Sequence, residues 1–229
     1  MNGDVYYVVE RATDFSIASY VARHLGRYAV KVGERLPERL GDYRLIVLWN
    51  LRRVIQDLPA NRNVVVFHSS DLPRGRGWAP IYHVLADGHP EHIVSAIFAA
   101  PEVDSGEIIA KARFRVQPCH TAAALRAIDE EVCVMLAAAI LERFADRPLT
   151  GVPQTGEATF YRRRKPADNE VDIRRPLAEL IPHLRACEAN HPALLVWQGC
   201  RYQISLTPER PPGFPDDLRI EFPNDAHTP

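Results

Sequence analysis

One short stretch of the chain gathers the residue types that do chemistry. Val66-Phe67-His68-Ser69-Ser70-Asp71-Leu72-Pro73-Arg74-Gly75-Arg76-Gly77-Trp78-Ala79-Pro80-Ile81 carries a histidine off an apolar run into a turn built on proline and glycine. An imidazole titrates near neutrality, which suits it to moving a proton to or from a reacting group. A carboxylate to orient it is on offer in Val103-Asp104-Ser105-Gly106-Glu107-Ile108-Ile109. Arg74 and Arg76, in a glycine-rich turn, have the planar fork that grips phosphate by two hydrogen bonds, and they fit a solvated loop equally well. Ser69 and Ser70 stand beside His68, but the G-x-S-x-G elbow of a serine hydrolase is absent, so turn or capping roles suit them better. His83, His89 and His92 lack metal-ligand spacing and read as surface or helix residues. The four cysteines form no CxxC pair, so no metal is expected, and they read as small buried side chains of a reducing compartment.

These groups need elements to position them. Val5 to Val9 reads as a strand. A helix follows, capped by Asp14, with Ile17, Tyr20, Val21 and Leu25 on its apolar face and Gly26 at its end. Tyr28 to Val32 is a second candidate strand. Leu45 to Trp49 and Val64 to Phe67 are continuously apolar, as in strands covered on both faces. Leu51 to Leu58 reads as the helix between them. Ala79 to Ala86 is helical, with Pro80 in its first turn. Ile93 to Phe98 and Glu107 to Val116 continue the sheet. Thr121 caps a long helix to Phe144, with Leu125, Ile128, Val132, Met135, Leu136 and Ile140 as its buried stripe. Strands alternating with helices make an α/β sheet, whose ligands bind beyond the carboxyl ends of the strands. That rule points at Trp49-Asn50 and at His68 to Asp71, and it puts His68 and Asp104 at strand ends on one side of one sheet.

A Pro/Gly-containing stretch from Arg147 to Pro153 marks the expected boundary between residues 1–150 and 151–229. Beyond it come a basic run (Arg162 to Lys165), an amphipathic helix (Leu177 to Cys187) and a hairpin (Leu194 to Trp197, Tyr202 to Leu206). The tail from Pro208 reads as loop, because its prolines interrupt a hydrogen-bond ladder.

Composition narrows the class. The chain has 229 residues, 46% of them hydrophobic and 25% charged, with a net charge of −1. That balance excludes a disordered polar chain and disfavours binding nucleic acid through bulk charge. The N-terminus has no basic patch followed by an apolar core, and the longest apolar run, Val132 to Leu141, is too short to span a bilayer. A cytoplasmic protein without a membrane partner is expected.

The same residues resemble those of the folate-dependent formyltransferases. His68, Ser70, Leu72-Pro73, Arg76-Gly77, Pro80-Ile81 and Asp104-Ser105-Gly106-Glu107-Ile108 stand in the order of the family's pattern. Ala158 to Pro166 with Glu170-Val171-Asp172 looks like the segment joining its catalytic domain to a small C-terminal one. The likeness implies a Rossmann-like, mostly parallel sheet with helices on both faces and a small β-rich C-terminal subdomain. It implies transfer of a formyl group from 10-formyltetrahydrofolate to an amine, with His68 as acid/base, Asp104 as its partner and no metal. Trp49, Leu51, Leu72 and Val103 would then border the folate, and Ser70, Arg74, Gly75, Arg76 and Gly77 the acceptor. One position departs from the pattern: an asparagine expected two residues before the histidine is Val66 here, and Asn50 is the candidate replacement donor. The short, neutral C-terminal part favours a nucleotide-activated amino sugar as acceptor over the charged initiator tRNA of methionyl-tRNA formyltransferase. A catalytically impaired folate or sugar-nucleotide binder is the third alternative, and a homodimer through the C-terminal hairpin is compatible with the sequence.

Overall fold

The computed structural model describes residues 3–51, 55 and 63–223. Seven strands form the main sheet, in the order β11-β7-β6-β4-β3-β1-β2. Strands β1 (Val5–Val8), β2 (Val30–Gly33), β3 (Leu45–Leu48) and β4 (Val64–His68) run parallel. Strand β6 (Glu91–Phe98) is antiparallel to β4, and β7 (Ile108–Arg115) reverses again, so five of the seven strands point one way. The short strand β5 (Arg76–Gly77) lies apart from this sheet.

Alternate side chains of the sheet enter different cores, as the period of two requires. Val5, Tyr7, Leu45, Val47, Val65, Val94 and Ala96 join one large cluster with helices α1 (Ala18–Leu25), α2 (Pro80–Ala86) and α3 (Ala122–Arg143). Val8, Ile46 and Val64 face the other way, against Leu40 and Tyr43 around a 3-10 turn at Leu40–Asp42. Helix α3 starts as expected, with Thr121 Oγ1 accepting from Ala124 N. Its buried positions extend past the stripe at Leu125, Ile128, Val132, Leu136 and Ile140 to Asp129, Cys133, Val134 and Ala137, because α1 packs on it too. Met135 is only half-buried. Fully burying one such Leu or Ile contributes about 1.5–3 kcal/mol, so this helix anchors the sheet.

Helix α1 begins at Ala18, later than expected, because Asp14 lies in a separate 3-10 turn that Phe15 N closes onto Ala12 O. The helix expected from Leu51 to Leu58 lies largely outside the described residues. The Pro-rich tail is not all loop: β11 (Arg219–Glu221) pairs with β7 at the sheet edge, where Arg219, Ile220 and Glu221 meet Arg113, Ala112 and Lys111. An edge strand tolerates prolines around it, since only one side of its ladder is used.

Residues beyond 150 divide between two roles. Strand β8 (Phe160–Tyr161) pairs in parallel with β5. Helix α4 (Leu177–Ala186) packs on α2 and, with the hairpin β9 (Ala193–Trp197) and β10 (Cys200–Ile204), closes a small core of Val171, Leu180, Leu184 and Ala193. No described helix is long and apolar enough to cross a membrane.

Candidate active site

His68 is the last residue of β4, and its side chain shares a side of that strand with Val66, away from the helical core. The loop after it is pinned from below by the sheet. Ser95, opposite His68 on β6, donates its hydroxyl to Ser70 O at 2.7 Å, and Lys111 of β7 reaches Leu72 O at 2.9 Å and Asp71 Oδ1 at 2.5 Å. Within the loop Ser70 Oγ donates to Arg74 O, and the Leu72–Pro73 peptide is cis. From above it is held by the segment before β8: Gly75 N donates to Thr159 Oγ1 at 2.9 Å, Arg76 N to Thr159 O, and Trp78 N to Tyr161 O. Gly77 has φ +95°, and a Cβ there would stand 2.6 Å from Tyr161 O, so only glycine fits the pairing.

The imidazole meets two acceptors. Its Nε2 lies 2.8 Å from Gly75 O, and since a carbonyl can only accept, Nε2 is the protonated nitrogen. Its Nδ1 lies 3.5 Å from Asp104 Oδ2, with side chains 9% and 13% exposed. That separation is longer than a normal hydrogen bond.

Asp104 arrives by a route that the chain order alone does not suggest. Because β6 runs antiparallel to β4, the loop after Phe98 leaves at the end of the sheet where β4 begins, with Ala99 N donating to Val64 O. Asp104 therefore folds back over the face of the sheet to meet His68; the two do not share one end of it, as the sequence suggested. It pays for this with a left-handed backbone, φ +51°, a conformation that costs a non-glycine residue about 1–3 kcal/mol. Three groups hold it there. Gly77 N donates to Oδ2 at 2.9 Å. Gln154 donates Nε2 to both Asp104 O and Gly106 O at 2.8 Å, and its Oε1 accepts from Arg76 Nη2 at 2.6 Å.

The other expected residues take varied places. Trp49 is 6% exposed and sets its ring edge-on to Tyr7, so that ring belongs to the core. Leu72 is likewise enclosed, with Ile97 and Ile108. Leu51 is half-buried, and Val103 is 54% exposed beside Asp104. Asn50 is exposed at φ +49°, two residues past Leu48, where the pairing of β3 with β4 ends. No hydrogen bond joins it to His68 or Asp104 among the described residues. Val66, where the pattern has asparagine, packs against the Leu72 cluster. Ser70 spends its hydroxyl inside the loop, and Arg76 spends its guanidinium on Gln154. Arg74 is exposed at the rim of a cleft of about 480 Å³, which lies beyond Leu72 and Pro73 and which His68 does not line.

Two of the histidines read as surface or helix residues do more. His92 is wholly buried on β6 with Nε2 2.7 Å from Asp129 Oδ1. His83 stacks on Tyr161, ring centroids 3.7 Å apart. Gln154, Thr159 and Ser95 carried no sequence signal of their own; Thr159 and Tyr161 lie in the segment that resembles the joining piece of the family, the one hint available.

Comparison with known proteins bears on the family and the fold. The sequence profile of the family described as formyl transferase matches residues 3–138. Methionyl-tRNA formyltransferase of Leifsonia xyli subsp. xyli is 30% identical over 143 residues, 62% of this chain and 47% of that protein. The chain spans about half the length of the curated relatives it matches. Among solved structures, methionyl-tRNA formyltransferase from Clostridium thermocellum superposes with a TM-score of 0.67 at 19% identity, over 96% of this chain and 99% of that one. An N-formyltransferase from Helicobacter canadensis, solved with folinic acid and dTDP-3-aminofucose, gives 0.64 at 12% identity, over 86% and 84%.

Proposed function

The chain belongs to the formyl transferase family, and from that premise we propose that it moves a formyl group from 10-formyltetrahydrofolate to the amine of a nucleotide-activated amino sugar in the cytoplasm. The observation that carries this reading is the His68–Asp104 pair, held over the sheet by a loop pinned on both sides. The folate, when bound, supplies the one-carbon acyl group. Val103, beside Asp104, keeps apolar surface accessible that fits an aromatic ring system; Leu51, half-buried, is the second such candidate, and Trp49 and Leu72 are enclosed residues that could only back the site.

The chain's own residues then do the following. An amine that becomes an amide must shed a proton. His68 Nε2 is committed to Gly75 O, so Nδ1 is the nitrogen that takes that proton, and Asp104 Oδ2 faces it. Gln154 keeps the carboxylate in place through the Asp104 and Gly106 carbonyls. Asn50, two residues beyond the end of β3, is the candidate side-chain donor for the developing oxyanion in place of the asparagine that Val66 replaces. Arg74 has an exposed guanidinium suited to a diphosphate. Of residues 151–229, the segment around β8 lends Gln154, Thr159 and Tyr161 to the site, helix α4 and the β9–β10 hairpin form a small unit, and β11 belongs to the main sheet.

The acceptor reading rests on where the basic run goes. Arg162 pairs with Asp168 at 2.6 Å, Arg164 lies over the Tyr82 ring at 3.6 Å and binds Asn169, and Arg163 lies over Trp78. Those cations are engaged within the fold, which leaves little local patch for RNA phosphates. The sugar nucleotide bound to the Helicobacter canadensis protein supports the same class of acceptor. A tRNA acceptor is the second reading, favoured by the sequence relatives. Incubating the protein with formyl-folate and a panel of UDP- and dTDP-amino sugars, beside charged initiator tRNA, decides between them by released tetrahydrofolate. Turnover on a sugar nucleotide is expected. Formylated tRNA alone moves the answer to the second reading, and folate binding without turnover on either leaves a binding protein.

A further inference from the structure

Gly75 O is the acceptor of His68 Nε2, yet Gly75 has φ +73° and no side chain of its own to hold that conformation. What stands against it is Tyr161. A Cβ on Gly75 would come within 2.7 Å of Tyr161 Cε2, so the ring lies directly against the glycine backbone. The ring is itself clamped. His83 stacks on it at 3.7 Å with planes 2° apart, and His83 Nδ1 is 3.2 Å from Asp87 Oδ2 one helical turn on. Its backbone is fixed by the β5–β8 pairing, with Gly77 opposite Tyr161 and Trp78 N donating to Tyr161 O. Burial pushes the Tyr161 phenol up and the His83 imidazole down, so both rings of the stack stay neutral at ordinary pH.

We propose that Tyr161, backed by His83, is a positioning residue that holds the Gly75 carbonyl on His68 Nε2 and so fixes the tautomer of the catalytic imidazole. The clamp works through one degree of freedom. Thr159 holds the N–H on either side of Gly75, and the ring closes the remaining space into which the peptide could tilt, so the Nε2 proton keeps its acceptor and Nδ1 stays turned to Asp104. Without the ring, the Gly75–Arg76 peptide keeps only the bonds of Gly75 N and Arg76 N to Thr159, and the glycine, with the widest choice of backbone states of any residue, lets its carbonyl tilt off Nε2 about them. His68 then loses its reason to prefer Nε2–H, and protonation of the Nδ1 tautomer against Asp104 takes over. The phenol oxygen is not required; the flat ring is.

The catalytic consequence rests on the proposed function, whereas the tautomer does not, and the test separates them. Full-length protein labelled with 15N at histidine is studied by long-range 1H–15N NMR at about pH 8, above the ordinary histidine range. His68→Gln assigns the resonance. In the wild type His68 is expected as the Nε2–H tautomer. Tyr161→Ala is expected to shift it toward Nδ1–H and to lower kcat at least tenfold with KM within about threefold. Tyr161→Phe is expected to restore both, and Tyr161→Leu, which fills space without a flat ring, gives a second variant should the alanine form fail to fold. An unchanged His68 tautomer in both Tyr161→Ala and Tyr161→Leu overturns the proposal. A changed tautomer in a protein that formylates no acceptor leaves the clamp standing and removes the assigned activity instead.

Discussion

The molecule contains two histidine–aspartate pairs of almost equal sequence separation, and they do opposite things. His92 and Asp129 lie 37 positions apart, join β6 to α3 at 2.7 Å, and are 0% and 9% exposed at the side chain. His92 shares its side of β6 with Val94 and Ala96, within the main core. His68 and Asp104 face the other side of the same sheet, 3.5 Å apart and partly accessible. The core pair sits on regular elements that need no special backbone. The other needs a left-handed aspartate, two left-handed glycines and hydrogen bonds from four segments. A pair that fixes structure is short and enclosed. The proposed proton-exchanging pair is longer and slightly more exposed, and the surrounding chain carries the cost of holding it.

Substitutions should therefore separate the two pairs cleanly. His68→Ala is expected to lower kcat by about 10²–10⁴ while Tm changes by a few degrees at most, read by tetrahydrofolate release and thermal denaturation. Full turnover in that variant would sink the mechanism. Asp129→Ala should show the reverse. It leaves His92 Nε2 without its partner in the core and is expected to destabilise the fold by about 1–3 kcal/mol, with turnover per folded molecule unchanged. If Asp129→Ala instead cut turnover in fully folded protein, the division of labour between the faces would be wrong. Asn50→Ala sharpens the open side of the comparison. A fall in kcat of about tenfold is expected, smaller than the 10²–10³ of an enclosed oxyanion donor because Asn50 is exposed, and a change under threefold removes it from the site. The smallest effect is a pH dependence belonging to neither pair. Burial lowers the pKa of His83, His120 and His183. The unfolded chain then binds more protons than the folded one below about pH 6.5, so their contribution to stability is complete above that pH and is lost as pH falls through the lowered values. Tm is expected to decline between about pH 7 and 5, and His120→Gln should flatten the decline.

How much of this was legible depends on distance along the chain. Strands β3 and β4 announce themselves because both their faces are buried, and Thr121 marks the start of α3 locally. The motif around His68 and Asp104 singled out two side chains that the fold does bring within 3.5 Å of each other. The direction of β6 was not legible, since a strand buried on every residue but its first looks the same read either way. That single reversal is why Asp104 was placed at the wrong end of the sheet. His92 carried no signal because its partner sits on a helix whose apolar stripe hides one aspartate. Strand β11 escaped because three residues among prolines match a distant edge, with Ile220 opposite Ala112, and no local pattern encodes that match. Gln154 and Tyr161 were missed for the same reason: their partners lie 50 or more positions away, at Asp104 and Gly77.

That last distance has a consequence in time. The hydrogen bond from Gly75 to Thr159 spans 84 residues, across the whole of β6, β7 and α3. Long closures of this kind form late, because the chain entropy of the loop is lost before the contact returns anything. The sheet and α3 can assemble from a nascent chain that does not yet include Thr159, and such an intermediate holds His68 without the strand that completes its surroundings. Refolded protein should accordingly regain its circular dichroism before its turnover, and a chain still emerging from synthesis is inert until residues 159 to 161 are out.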